Sequence, residues 1–322
     1  MKKLVRAAVV MTALLGALTV FSAAAQTFTK PIRVIVPYPA GDLADTTSRL
    51  LVPILQDSLG QPIVIENRPG ASGLLGLQAA LSGNNDGHTF VLGQMGSMAV
   101  APISNKQPID VRAEFIPVAM AYSNYMLLVA TPSLPVKTIP ELVAYSKANP
   151  GKVSLATNGE GGFPHLAMEL LKERTGLNFI HVAYKGSGQP VTDAIGGQVS
   201  LTIAGFSSVY PHVLSGRLVA LGLTGKSRNK DAPSIPTFGE SVPGYEALGW
   251  FGFFARKDMP AASVAAFNTA VNAALSNPVV IQKSKTLGLD TDSGTPAQLG
   301  LAWRNDYDKW GNQLRSLNLE AK

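Results

Sequence analysis

The chain has 322 residues, no cysteine, 15% charged residues and a formal net charge of +6. A charge this small, with no Lys/Arg block interleaved with aromatics, excludes nucleic acid as the expected partner. The lack of cysteine excludes disulfides, thiolate chemistry and cysteine metal sites, so the fold must rest on its core.

Residues 1–25 read as a signal peptide. Lys2, Lys3 and Arg6 form a basic start, residues 7–21 are apolar without an acid, and Ala23-Ala24-Ala25 offers a cleavage site before Gln26. The run falls short of the roughly 20 residues that cross a bilayer, and no cysteine follows it to carry a lipid. Cleavage after Ala25 removes those three cations and lowers the net charge from +6 to +3. The remaining length predicts one large or two medium domains in an exported, soluble protein.

Short β-branched runs then alternate with helical segments, the pattern of parallel βαβ units in an α/β fold. A strand is expected at 32–36, followed by Pro37-Tyr38-Pro39-Ala40-Gly41-Asp42-Leu43-Ala44-Asp45 and a helix over about 46–58. Further strands are expected at 63–66 and 89–92, with a glycine-rich lead and a helix over 74–81 between them. Another strand spans 125–130. Thr138 and Glu141 fit a capping box. A second series follows: strands at 153–156, 179–183, 199–204 and 218–223, a helix over 165–175, and a late strand at 250–255. Aromatic stripes at Trp303, Tyr307, Trp310 and Leu314 read as helix packing faces. Two such series predict two lobes, residues 26–125 with 227–322 and residues 126–226, hinged near 125–131 and 221–226.

Enzymatic readings find little support. His88, His165, His181 and His212 are scattered without metal-ligand spacing, so no metal is expected. No serine sits on a G-x-S-x-G elbow, no phosphate loop is complete, and no G-x-G-x-x-G follows the first strand, so no cofactor is expected either. What remains is a set of small, glycine-rich loops at strand ends: Ala40 to Asp45, Met95-Gly96-Ser97, Thr157-Asn158-Gly159 through Phe163, and Tyr184-Lys185-Gly186-Ser187. Backbone N–H groups in such loops make anion-binding concavities without formal charge, and a cleft between lobes is where they would act.

These stretches resemble the periplasmic solute-binding receptors of tripartite tricarboxylate transporters, also called Bug receptors. The resemblance rests on Lys30-Pro31-Ile32-Arg33-Val34-Ile35-Val36-Pro37-Tyr38-Pro39, on Gly60-Gln61-Pro62-Ile63-Val64-Ile65-Glu66-Asn67-Arg68-Pro69-Gly70-Ala71, and on His181-Val182-Ala183-Tyr184-Lys185-Gly186. It covers nearly the whole mature chain. It implies a two-lobed, type II Venus-flytrap α/β fold, each lobe a mostly parallel sheet flanked by helices. It also implies a monomer in the periplasm that hands a small organic carboxylate to an inner-membrane permease. The ligand would be held largely by main-chain amides, with Tyr38 to Asp45, Gly96 and Ser97 on one side. Thr157, Asn158, Gly159, Phe163, His165, Tyr184, Lys185, Gly186, Ala204 and Gly205 would stand on the other.

Departures from the family bear on specificity. Its first loop usually runs Pro-Gly-Gly-Gly-Thr-Asp, whereas here Asp42 and Leu43 replace two glycines and Asp45 keeps the acid, read as a helix N-cap and water holder. Ala204 stands where many members carry an aspartate, and Phe163 where a small polar residue is common. These changes favour a less polar ligand, such as an aromatic or chloroaromatic acid or its breakdown product. Two other readings stay open: a ligand-loaded partner of a sensor-kinase ectodomain, and a periplasmic enzyme of organic-acid breakdown.

Overall fold

The computed structural model describes residues 27–82, 86–105, 109–184 and 188–320. The signal peptide and its cleavage site, and Lys185, Gly186 and Ser187, lie outside the described residues. Among these, no single helix is long and apolar enough to cross a membrane.

The first series is β1 (Ile32–Val36), α1 (Leu43–Leu59), β2 (Ile63–Asn67), α2 (Leu74–Leu81), β3 (Thr89–Gln94) and the long β4 (Phe115–Asn124). Its sheet has the order β11-β4-β10-β3-β1-β2 once β10 (Gly249–Arg256) and β11 (Leu289–Thr291) return to it. The second sheet, β7-β6-β8-β5-β9, holds β5 (Met126–Ala130), β6 (Ser154–Thr157), β7 (Ile180–Ala183), β8 (Leu201–Gly205) and β9 (Val219–Leu223). Helices α3 (Ile139–Ala148), α4 (Phe163–Thr175), α5 (Gly188–Ile195) and α6 (Phe206–Leu214) flank it, and α7 (Ala261–Leu275), α8 (Pro278–Thr286) and α9 (Pro296–Ser316) complete the chain. This is the two-lobed α/β architecture.

Each sheet is mixed. The pairs β1·β2, β1·β3, β6·β7 and β6·β8 are parallel, as βαβ crossovers require, whereas β10, β11 and β5 pair antiparallel with their neighbours. The chain crosses between sheets from β4 to β5 and returns from β9 to β10. β4 ends at Asn124 and β5 begins at Met126, so that crossing takes one residue. The return from Leu223 to Gly249 is longer, and it packs on the second lobe. Thr237 bridges Leu223, the Tyr245 hydroxyl donates to the Ala167 carbonyl at 2.9 Å, and Ala232 and Ile235 join the cluster of Leu127 and Val129.

β4 and β11 are strands that sequence patterning misses. In β4, Pro117, Ala119, Met120, Ala121 and Ser123 dilute the β-branched signal, and β11 is three residues long.

One apolar cluster joins the lobes. Leu128, Leu155 and Leu166 of the second share it with Phe254, Trp303 and Trp310 of the first, while separate clusters fill the remaining faces. Each fully buried large side chain in it contributes roughly 1.5–3 kcal/mol. Trp310 of α9 meets Phe163 edge-on, centroids 5.7 Å apart, so α9 holds the second lobe as well as its own.

Candidate functional site

In the first lobe, three loops converge behind the carboxyl ends of β1, β2 and β3. Parallel strands leave their loops on one edge of the sheet, where binding sites of open α/β sheets form. The Tyr38 ring is half-buried and its hydroxyl turns inward. A Cβ on Gly73 would lie 3.5 Å from that hydroxyl and 2.7 Å from Ser97 Cβ; one on Gly96 would lie 4.0 Å from the hydroxyl. Burial pushes the Tyr38 phenol up to about 12, against the hydrogen bond with Ser97, and the Asp42 charge pushes the same way as burial. Ser97 is fully buried, and its hydroxyl accepts from Gln94 N at 3.1 Å, which locks the turn after β3. Asn67, at the end of β2, donates to the Tyr38 carbonyl at 3.1 Å and to Asp45 at 3.0 Å.

The N-cap role expected of Asp45 falls to Asp42. The N-cap of α1 is Asp42: its Oδ1 accepts from Ala44 N at 3.0 Å, and the helix begins at Leu43 rather than Thr46. Asp45 lies inside the first turn, 3% exposed, and faces inward. Its Oδ2 accepts the Gly41 amide at 2.8 Å, while Oδ1 accepts from Arg49 Nε at 2.9 Å and Asn67 Nδ2 at 3.0 Å. Burial raises its pKa, but the bonds from Arg49, Gly41 and Asn67 outweigh that and hold the carboxyl below its usual range. Asp45 is thus a strut that shapes the loop, because a buried carboxylate persists only where donors surround it. Gly41, at φ +81°, makes the turn that presents its amide to Asp45, and a Cβ there would meet nothing within 4 Å. Pro39, Ala40, Gly41 and Asp42 are exposed, Ala44 is buried, and Leu43 is half-buried against the first lobe's core.

In the second lobe, β6 ends at Thr157 and loop 158–162 leads into α4, whose N-cap Gly162 offers no side-chain bond. Thr157 is fully buried. Its hydroxyl donates to the Gly159 carbonyl at 3.1 Å and shares a 2.7 Å hydrogen bond with His181 Nε2. His165 Nδ1 accepts the Gly161 amide at 3.0 Å, so this ring holds the loop in shape. The rings of His165 and His181 stack at 3.8 Å, and Glu169 lies 3.7 Å from His165 Nε2. Burial first, and then the neighbouring His165, lower the His181 pKa to about 4. Tyr184 donates its hydroxyl to Asp193 at 2.7 Å, which raises its pKa, and its amide to the Thr157 carbonyl. Asn158 is exposed and Gly159 half-buried.

Three residues expected at the site, Phe163, Ala204 and Gly205, also serve the fold. Phe163 packs on Trp310 and forms part of the contact between lobes. Ala204 packs against the second lobe's core, paired with Leu127 in the sheet, while Gly205 caps α6 and is exposed. Asn67, Gly73, Arg49 and His181 are the residues whose roles sequence reading missed. Only the glycine-rich stretch after β2 hinted at the first two. A cavity of about 370 Å³ sits at the crossing between lobes, with Tyr125, Lys226, Arg228, Asn229, Lys285 and Asp290 among its lining. Two of its cations are taken by ion pairs, Lys226 with Glu246 and Arg228 with Glu240.

Among the described residues, no group of three or more His, Asp or Glu is placed to hold a metal ion. The arrangement is amide-rich loops on two lobes, stiffened by inward-facing polar side chains.

Comparison with known proteins agrees. The model of the tripartite tricarboxylate transporter family receptor matches residues 48–319. Protein BugT of Bordetella pertussis is 33% identical over 296 residues, covering 91% of each chain. Among solved structures, Rpa4515 of R. palustris, determined with adipate, superposes with a TM-score of 0.77 at 29% identity, covering 91% of this chain and 98% of that one. MatC of Rhodopseudomonas palustris, with bound malate, gives 0.73 at 27% identity over 89% and 99%. The chain belongs to the tripartite tricarboxylate transporter receptor family, the Bug family of periplasmic solute-binding proteins.

Proposed function

We propose that this receptor captures a small organic carboxylate between its lobes and delivers it, unaltered, to a tripartite permease in the inner membrane. The observation that carries the reading is the pairing of two stiffened loop clusters, residues 37–42 with Tyr38, Gly73 and Ser97, and residues 157–162 with His165 and His181, on separate sheets. Closure of one cluster on the other would replace the ligand's water shell with loops already held in shape, and preorganised groups cost little to reorder.

Adipate and malate in two relatives of the same fold support the carboxylate class. Leu43 and Phe163 are committed to packing, so they give no ground for preferring an aromatic acid. Mass spectrometry of small molecules released on denaturing protein from its native periplasm tests the reading. It predicts a carboxylic acid at near-stoichiometric yield, recovered unchanged after prolonged incubation with the refolded protein. A ligand without a carboxyl group, or turnover of the acid, would overturn it.

A further inference from the structure

Trp310 is fully buried, yet its indole N–H has no hydrogen-bond partner among the described residues. Buried donors are nearly always paired, so an orphan at the joint between lobes calls for a reason. An acceptor stands one turn earlier on the same helix. Asp306 is four residues before Trp310 on α9, the spacing at which helical side chains meet. Its Oδ2 takes the Trp250 indole at 2.7 Å, and its Oδ1 takes no donor among the described residues. Burial raises the pKa of this carboxyl. Trp250 and then Lys309 pull it down, Glu246 pushes it up, and the Trp310 indole, close by but unbonded, pulls it down least. The carboxylate thus keeps one oxygen spare near an indole that lacks an acceptor.

The Trp310 ring is held from two sides. Phe163, the first residue of α4, meets it edge-on with centroids 5.7 Å apart, and Lys309 Nζ lies 4.4 Å from its centroid. Both contacts lead to the second lobe. Phe163 is part of it, and Lys309 donates to the Glu246 carbonyl, in the return segment that Tyr245 ties to Ala167. The pose of the indole is therefore set by where the second lobe stands. Across the cleft nothing comparable fixes the lobes: among the described residues, no hydrogen bond joins residues 37–45 or 95–97 to residues 157–184.

We infer that Trp310 and Asp306 form a latch that couples lobe position to ligand binding: as α4 swings with the second lobe on closure, Phe163 frees the indole, and its N–H drops onto the spare oxygen of Asp306. The bond exists only in the closed form, so it adds to the stability of that form and hence to ligand affinity. Asp306 and Trp310 are positioning residues in this account, since neither belongs to the loop clusters. The link to ligand rests on the interlobe carboxylate reading above; the latch itself does not.

The indole N–H resonances of the three tryptophans test it in full-length mature protein labelled with nitrogen-15, with Trp310 assigned through W310F. Trp250 and Trp303 both donate at 2.7 Å, to Asp306 and to the Met98 carbonyl, and serve as bonded references. In ligand-free wild type the Trp310 proton is expected upfield of both. F163A removes the second lobe's hold and should move it downfield. D306N keeps one oxygen for Trp250 and loses the other, so F163A/D306N, with the same ring removed, should return it upfield. F163L stands in if F163A does not fold. A Trp310 proton already in the bonded range in wild type, or one equally placed in F163A and F163A/D306N, overturns the inference.

Adipate and malate are then titrated in. A saturating acid should move the wild-type resonance as F163A does, and D306N should bind that acid about tenfold more weakly. Binding that leaves the Trp310 resonance in place, or wild-type affinity in D306N, overturns the inference and leaves the receptor reading standing. Binding of neither acid, with the F163A shift intact, keeps the latch and counts against the carboxylate reading.

Discussion

The imidazole rings of His165 and His181 lie face to face, centroids 3.8 Å apart and planes within 6°. His165 accepts the Gly161 amide and His181 is bonded to Thr157, so the pair fixes the loop at the mouth of the second lobe. Glu160 and Glu169 favour a proton on His181, Lys172 opposes one, and burial with His165 prevails, leaving the pKa near 4. The unfolded chain takes that proton near pH 6.5 and the native state does not. Stability is therefore complete above about 6.5 and falls as the pH drops toward 4. His181 is only half-buried, so the slope should stay well under the ~1.4 kcal/mol per pH unit of one full proton. Urea titrations at pH 7.5 and 5 should show the loss in wild type and a smaller one in H181N. Equal losses would contradict the assignment. The shift of Glu169, being downward from 4.5, acts below this window.

The surface cap of Asp42 and the buried bonds of Asp45 order their mutational costs. Asp45→Ala removes the acceptor of three bonds and leaves the Gly41 amide without a partner and Asn67 with one bond fewer, a loss of about 2–3 kcal/mol. Asp42→Ala removes one cap bond on the surface and should cost about 1 kcal/mol. Denaturant unfolding of the two variants decides. The reverse order would mean that Asp42 is the strut.

Gly73 stands at φ +98° with its would-be Cβ 2.7 Å from Ser97 Cβ. Gly73→Ala should therefore cost about 1–3 kcal/mol in backbone strain and displacement of Ser97. It should also weaken carboxylate binding, since Tyr38 and Ser97 shape the same corner. A variant with wild-type stability and affinity would show that the three loops do not depend on this approach.

Trp310 of the first lobe and Phe163 of the second meet edge-on at 5.7 Å. Trp310 is fully buried, and Trp310→Ala should cost about 3–5 kcal/mol. A double-mutant cycle with Phe163→Ala should give a coupling of about 1 kcal/mol. Zero coupling would mean that the contact between lobes does not hold in solution.

The sequence was most readable where local chemistry alone decides. β1 and β2 announce themselves through β-branched runs, and Thr138 caps α3 with Glu141 three residues on. The N-cap of α1 was misplaced because Asp42 and Asp45 both satisfy a capping rule, and only the inward turn of Asp45 toward Asn67, 22 residues away, separates them. Nothing local reveals that Phe163 meets Trp310, and the His165–His181 stack joins an α4 residue to one on β7. β11 owes its existence to pairing with β4, and β4 to pairing with β11 and β10, which no local run encodes.

Hydrogen exchange of ligand-free protein, with and without the carboxylate recovered from the periplasm, tests the central claim most directly. An interlobe site predicts slowed exchange on binding at both loops, residues 37–45 of the first lobe and 157–163 of the second, in the same titration. Protection confined to one lobe, or to the cavity around Tyr125 and Asn229, would contradict it.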